Sequence, residues 1–180
     1  MVKINIVQKL KNDELNRPAL TDYKKQDKLP YVIILDNVRS ALNVGSVFRT
    51  ADAFNTSKII LCGITSTPPH KEISKTALGA TESVDWEYFE KTEDAVQHLK
   101  SQGYSIFAVE QATQSCMLNE FDAAGKPFAI IFGHEMDGVQ QSVIDICDGV
   151  IEIPQSGTKH SINISVCAGV VCWEIYRQLK

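Results

Sequence analysis

Short apolar runs alternate with stretches of helical spacing along most of this chain, and the alternation predicts its elements. Tyr31–Leu35 is apolar and rich in β-branched residues, the pattern of a buried strand. A polar connection, Asp36–Leu42, follows it. Apolar residues at 44, 47, 48, 51 and 54 then place Val44–Phe54 on a helix. Ser57–Cys62 is the next strand, Ile64–Pro69 a loop, Lys71–Leu78 a short helical stretch and Val84–Phe89 a strand. Thr92 is placed to cap a helix over Glu93–Gln102, with Ala95, Val96 and Leu99 on one face and Gly103 just past its end. Strands follow at Tyr104–Val109 and Phe128–Phe132, a helical stretch at Gln140–Cys147, a strand at Val150–Ile153 and a long helix over Ile162–Leu179.

Strands that alternate with helices mean an α/β domain, with a mostly parallel sheet and helices on both faces. Uninterrupted apolar strands such as Ala129–Phe132 fit a sheet covered on both sides. Residues 1–30 lack this pattern. They are polar, with scattered Leu10, Leu15, Leu20 and Tyr23, and read as an arm of short helical pieces, broken at Pro18 and ended by Pro30. The expected division is an arm over 1–30 and a folded domain over 31–180.

Composition narrows the class. A chain of 180 residues suits one compact domain. Its 44% hydrophobic and 22% charged residues are those of a globular protein. No apolar run approaches the ~20 residues of a membrane helix. Met1–Leu10 has neither an apolar core nor a small-residue cleavage site, so no signal peptide is expected. The five cysteines include no C-x-x-C pair and sit mostly inside apolar runs, which disfavours disulfides or zinc and suits a reducing cytoplasm. The net charge of −4 conceals an asymmetry. Residues 1–30 carry seven Lys or Arg against four Asp or Glu, and the rest carry eleven against eighteen. The basic arm is therefore a solvated tail or an electrostatic aid to binding a polyanion.

In open α/β sheets ligands bind beyond the carboxyl ends of the strands, so the segments that follow the strands carry the chemistry. Asp36–Gly45 ends on Asn43 and Gly45, with Arg49 one and a half turns into the helix. An amide and a fixed cation near one crevice could serve a reaction. Alternatively, Asn43 caps the helix and Arg49 is a surface ion-pair partner. After Phe132, Gly133-His134-Glu135-Met136-Asp137-Gly138 is a tight turn with glycines at both ends. Glu135 could order that loop or orient Arg49, and His134 could be a general base or a structural residue. After Ile153, a long polar loop runs into Ser161-Ile162-Asn163-Ile164-Ser165, whose hydroxyl and amide groups alternate with isoleucine. Helix capping by Ser161 or Asn163 is the plain alternative. There is no G-x-G-x-x-G, no P-loop and no nucleophile elbow, so a nicotinamide-dependent oxidoreductase is disfavoured.

Taken together and in this order, the three segments resemble the SpoU family of the SPOUT methyltransferase superfamily. Asn43, Gly45 and Arg49 match its N-x-G-x-x-x-R motif. Phe132, Gly133, Glu135 and Gly138 match its second motif. Ile153, Pro154, Ser161, Ile162, Asn163, Ile164 and Ser165 match its third, with Gly157 one place off some versions. Lys75-Thr76-Ala77-Leu78-Gly79-Ala80 is similar to the family's K-x-[SA]-x-G-A segment.

The resemblance covers about residues 31–178 and implies several things. The fold would be this α/β sheet with a C-terminal trefoil knot. The activity would be transfer of a methyl group from S-adenosylmethionine to a ribose 2′-hydroxyl of structured RNA, tRNA or rRNA, by a homodimer that needs no metal. Gly133, Ile153 and Ile162 would contact the cofactor, helped by Glu110 at the end of a strand. Arg49, Asn43, Glu135, Ser161 and Asn163 would form the catalytic group. Guanidinium is effectively always protonated, so Arg49 is better cast as a cation that grips phosphate and steadies alkoxide charge than as a base. A non-catalytic RNA-binding or assembly factor on the same fold is the alternative.

Overall fold

The computed structural model describes residues 7–180. A 3₁₀ turn at Asn12–Leu15 and helix α1 (Leu20–Lys25) precede strand β1 (Leu29–Asp36). Helix α2 (Ala41–Ala53) leads to β2 (Thr56–Cys62), α3 (Lys71–Ala77), α4 (Ala80–Ser83) and β3 (Trp86–Phe89). Then come α5 (Thr92–Ser101), β4 (Ser105–Val109), β5 (Cys116–Met117) and β6 (Phe128–Phe132). The chain ends with α6 (Gln141–Ile144), β7 (Gly149–Glu152) and α7 (Ile164–Leu179).

The strands form one sheet in the order β3-β2-β1-β6-β4-β7-β5, and every ladder is parallel. The expected α/β architecture is the observed one. Alternation along β1 divides the core. Tyr31, Ile33 and Leu35 face the layer of α2, α3, α4 and α7, while Val32 and Ile34 face α5 and α6. Each fully buried Leu or Ile contributes about 1.5–3 kcal/mol of transfer free energy. Ile33, Ile34 and Leu35 together are therefore a large part of what fixes the register of β1. The strand order also brings the chain back twice into interior positions, as β6 beside β1 and as β7 beside β4.

Several boundaries differ from the sequence reading. Pro30 does not end the arm, because β1 begins at Leu29. The β1–β2 ladder shifts register between Leu29 and Val32, so exposed Pro30 sits where no N–H is needed. The arm is also anchored: the Tyr23 hydroxyl donates to Asp52 O at 2.7 Å, and Lys28 Nζ lies 3.2 Å over the Tyr23 ring. Helix α2 starts three residues before Val44, since Ser40 Oγ accepts from Asn43 N–H and caps it. Thr92 is not an N-cap. It is the first residue of α5, and its hydroxyl is committed to buried Asp36. The last helix begins at Ile164, capped by Asn163. The helical stretch at 140–147 shrinks to α6, and α4 and β5 were too short to show any periodicity. No helix among the described residues is long and apolar enough to cross a membrane.

Candidate active site

The carboxyl ends of β4, β6 and β7 open onto one cavity of about 500 Å³. It lies where topology places ligands in such sheets. Gly133, Glu110, Ile153, Ile162, Glu135, Ser161 and Asn163, seven of the nine expected site residues, line it. Arg49 and Asn43 do not.

The loop between β6 and α6 folds back on itself. His134 and Gly138 exchange backbone hydrogen bonds of 3.0 and 2.9 Å. A Cβ on Gly133 would collide with the backbone of Gly138 and Val139, so only glycine lets the loop close this tightly. Gly138 has φ 68° and is packed against the Glu110 carboxylate. Glu110 holds the loop from the next strand: its carboxylate accepts from Val139 N–H at 3.2 Å and from Gln111 N–H at 2.9 Å. His134 Nδ1 accepts from the N–H groups of Met136 and Asp137 at 3.2 and 3.3 Å. The Asp137 carboxylate also lies 3.1 Å from this nitrogen, so every polar contact of Nδ1 is within the turn and His134 has a structural part in it.

Glu135 is the centre of the polar network. Its carboxylate accepts from Arg39 N–H, Ser40 N–H and Asn43 Nδ2, each at 2.9 Å. The third residue of a capped helix often supplies a carboxylate back to the cap. Here that residue is Asn43, and Glu135 supplies the carboxylate from another loop. Burial raises the Glu135 pKa, but the hydrogen bonds from Arg39, Asn43 and Ser40 outweigh it and hold the carboxyl below its usual 4.5. Asn43 then reaches the third segment: Asn163 Nδ2 donates to Asn43 Oδ1 at 3.3 Å. Asn163 Oδ1 accepts from Ser165 N–H at 2.9 Å and from Ser165 Oγ at 2.6 Å. One chain of hydrogen bonds thus closes all three segments. Asn43 caps nothing; both ends of its amide hold loops together.

Arg49 stands apart. It is exposed, and among the described residues no acidic side chain pairs with it. It lies six residues beyond Asn43, about 9 Å along the axis and about 120° around the helix. Gly45 packs against α3 through Ile73 and Thr76, and Asp52 accepts from Ser83 of α4. Arg49 shares their stripe, so it projects on the α3–α4 flank, whereas Asn43 is on the flank of α7. Of the two roles expected for Glu135, its hydrogen bonds fit the ordering of loops, around Asn43, and none of them goes to the Arg49 side chain. The close approach made possible by Gly45 is to α3.

Sequence reading missed Asp36. It is wholly buried and accepts from Asn37 Nδ2 at 2.8 Å, from the Thr92 hydroxyl and from Gln140 N–H at 3.2 Å. It ties the end of β1 to the starts of α5 and α6. The available signal was an acid directly after an apolar strand.

Among the described residues the cavity is lined by Glu110, Glu135 and Asp137 and by no Lys or Arg. Val109, Phe132, Ile153, Ile162 and Ile164 supply its apolar wall. Cys167 also faces it, but burial, and secondarily Glu110, push the thiol up to about 12, so it is no nucleophile at neutral pH. Among the described residues no group of three His, Cys, Asp or Glu side chains could hold a metal ion.

Known proteins are similar to this chain in sequence and fold. A 23S rRNA (guanosine-2′-O-)-methyltransferase, RlmB of Vibrio parahaemolyticus, is 31% identical over 92% of this chain and 66% of its own length. The TrmH/SpoU tRNA modifying enzyme of A. aeolicus superposes with a TM-score of 0.79 at 25% identity, over 88% of this chain and 80% of that one. An AdoMet-bound rRNA methyltransferase from Sinorhizobium meliloti gives 0.79 at 26% identity, over 88% and 60%. This chain spans 61% to 66% of the length of several curated relatives that it matches. Residues 30–173, which hold every one of the three segments, match the SpoU rRNA Methylase family, and the chain belongs to that family.

Proposed function

We propose that this chain transfers a methyl group from S-adenosylmethionine to a ribose 2′-hydroxyl of structured RNA, either tRNA or rRNA. The observation that carries the reading is the cavity closed by the Glu135–Asn43–Asn163 chain. Its three carboxylates suit a ligand whose sulfonium and ammonium outnumber its single carboxylate. Its volume lies in the range of small-molecule sites. Gly133, Ile153 and Ile162 would hold the adenosine part through backbone and apolar contact, and Glu110 would keep the loop in place. Bound there, the cofactor supplies an activated methyl group, so the chain needs to position and deprotonate the hydroxyl.

Positioning falls to Asn43, Ser161 and Asn163, and well-oriented groups can remove roughly 7–11 kcal/mol from such a barrier. Arg49, which does not line the cavity of its own chain, would supply fixed positive charge for the phosphate and the developing alkoxide at the cavity of a second copy in a homodimer. The proton passes to phosphate or water.

A homodimer belongs to the same reading. Val166, Val170 and Trp173 form an exposed apolar stripe along α7, at 55%, 40% and 54% exposure, as a surface made for a second copy would. So does the trefoil knot, with the 153–163 loop as the threaded segment; the two interior returns of the strand order support it. The basic arm over 1–30 would add RNA affinity through Arg17, Lys24 and Lys25, although residues 1–6 lie outside the described residues. The setting is the cytoplasm.

The test is methyl transfer from labelled S-adenosylmethionine to bulk RNA of a strain lacking this gene. Transfer to RNA, absent when the mapped nucleotide is made 2′-deoxy, is the expected result. Cofactor binding without transfer to any RNA would favour a non-catalytic assembly factor, and transfer that survives the deoxy substitution would favour base methylation.

A further inference from the structure

The corner between α3 and α4 combines two features that folding alone does not ask for. Leu78 has φ 49° and ψ 44°, and Gly79 follows with φ 91°. Consecutive left-handed residues at the end of a helix usually mean Gly or Asn. Of the other non-glycine residues with positive φ, three are Asn, a residue that tolerates this region, and one is Gln. Leucine gains nothing there from its backbone. It gains nothing from packing either, since Leu78 is 65% exposed. An apolar side chain held out into solvent in an unfavourable conformation points to a contact outside the chain.

Its position says which contact. Gly45 and Asp52 pin one flank of α2 to α3 and α4, and Arg49 lies between them on that flank. The Leu78 corner joins α3 to α4, so it runs alongside Arg49. Lys71 and Lys75 lie one turn apart on α3, Leu78 follows just past its end, and all three are exposed. The apolar tip is therefore flanked by a ring of charge in which Lys71, Lys75 and Arg49 outnumber Glu72, paired with Lys75 at 2.6 Å, and exposed Glu82. Such a ring suits a polyanion that carries apolar faces. It opposes self-association, which would bring like charges together. By contrast, the α7 stripe holds Val166, Val170 and Trp173, and its nearest cation, Arg177, is paired with Glu174 at 2.6 Å.

We propose that Leu78 contacts a nucleobase of the substrate RNA, at the nucleotide whose phosphate Arg49 engages, and so determines which RNA is accepted. This rests on the reading of the chain as an RNA methyltransferase.

The test is Leu78→Asn, which keeps a residue at ease in the left-handed region and removes the apolar surface. Steady-state methyl transfer is measured on bulk RNA of the deletion strain, with S-adenosylmethionine binding measured by calorimetry. The expected result is a KM for RNA raised about tenfold, kcat within about twofold, unchanged cofactor affinity and an undiminished melting temperature. Leu78→Met should recover most of the loss. If wild-type protein transfers no methyl group, the functional reading fails and takes this inference with it. If wild type is active and Leu78→Asn has the same KM, the inference alone fails. It also fails if Leu78→Asn alters the oligomeric state in light scattering, which would make the corner a contact between copies, or if it lowers cofactor affinity.

Discussion

Glu135 and Arg49 both belong to the matched motif segments, and their polar groups are used in opposite ways. Glu135 accepts three hydrogen bonds, all from the start of α2. Asn43 and Asn163 continue that saturation into the third segment. Arg49, on the opposite flank of the same helix, has no ion-pair partner among the described residues. A half-buried carboxylate that receives backbone N–H groups is architecture, because removing it would leave those donors unpaired. A solvated cation left unpaired beside a strained corner is available to a ligand. The Glu135 flank holds the loops of the site, and the Arg49 flank meets what enters.

The largest expected effect breaks the comparison at Arg49. Arg49→Ala should remove nearly all methyl transfer, by about 10³-fold or more, as loss of a charge-stabilising group does. Thermal stability and cofactor affinity should stay unchanged. Arg49→Lys should retain measurable activity, because charge survives while the bidentate fork does not. Equal and complete loss in both variants would show that charge alone is not its contribution. Glu135→Ala should act in the other way. It orphans two backbone donors and the Asn43 amide, which costs about 1–3 kcal/mol of stability. Activity should fall with it, read as a lowered melting temperature and a lowered kcat together. A Glu135→Ala protein with wild-type stability would mean that the network is not structural.

The difference between the flanks also explains what the sequence revealed. Periodicity located every strand of four or more residues, since β1, β2, β4 and β6 are apolar runs bounded by polar turns. It missed α4 and β5, which are shorter than one period of their own pattern can establish. The site segments were legible as a set because their spacing and order matched a family. Their connections were not. That Glu135 would turn to Asn43, ninety-two positions away, depends on how loops meet beyond the sheet. Asp36 was invisible for the same reason: its partners Thr92 and Gln140 come from α5 and the start of α6.

Glycine substitutions sharpen the contrast with a smaller effect. Gly45 sets the distance between α2 and α3, because a Cβ there meets Thr76 Oγ1 and the Ile73 carbonyl. Gly45→Ala should destabilise by about 1–3 kcal/mol, the range for overpacking, and should disturb the Arg49 flank without lowering cofactor affinity. Gly138→Ala meets Glu110 at a positive φ and should weaken cofactor binding in calorimetry. Gly157→Ala, with open space around it, should change neither. If Gly45→Ala weakened the cofactor as much as Gly138→Ala, the two flanks would not be separable.

The smallest effect is a pH dependence confined to the Glu135 flank. The folded-state pKa of Glu135 lies below its ordinary 4.5, so its contribution is fully present above that value. It is lost as pH falls through the lower folded value, because the unfolded chain then binds the proton more readily. In Glu135→Gln that proton-linked loss is absent. The melting temperature of wild-type protein should therefore fall more steeply than that of Glu135→Gln as pH drops below about 4.5, and the two slopes should coincide near neutrality. Glu135 is only partly buried, so solvent screening keeps the difference small. Arg49→Ala should leave the acid slope as it is in wild type, since guanidinium does not titrate there and makes no contact with Glu135. A shallower acid slope in Arg49→Ala would couple the flanks electrostatically and undo the division between them.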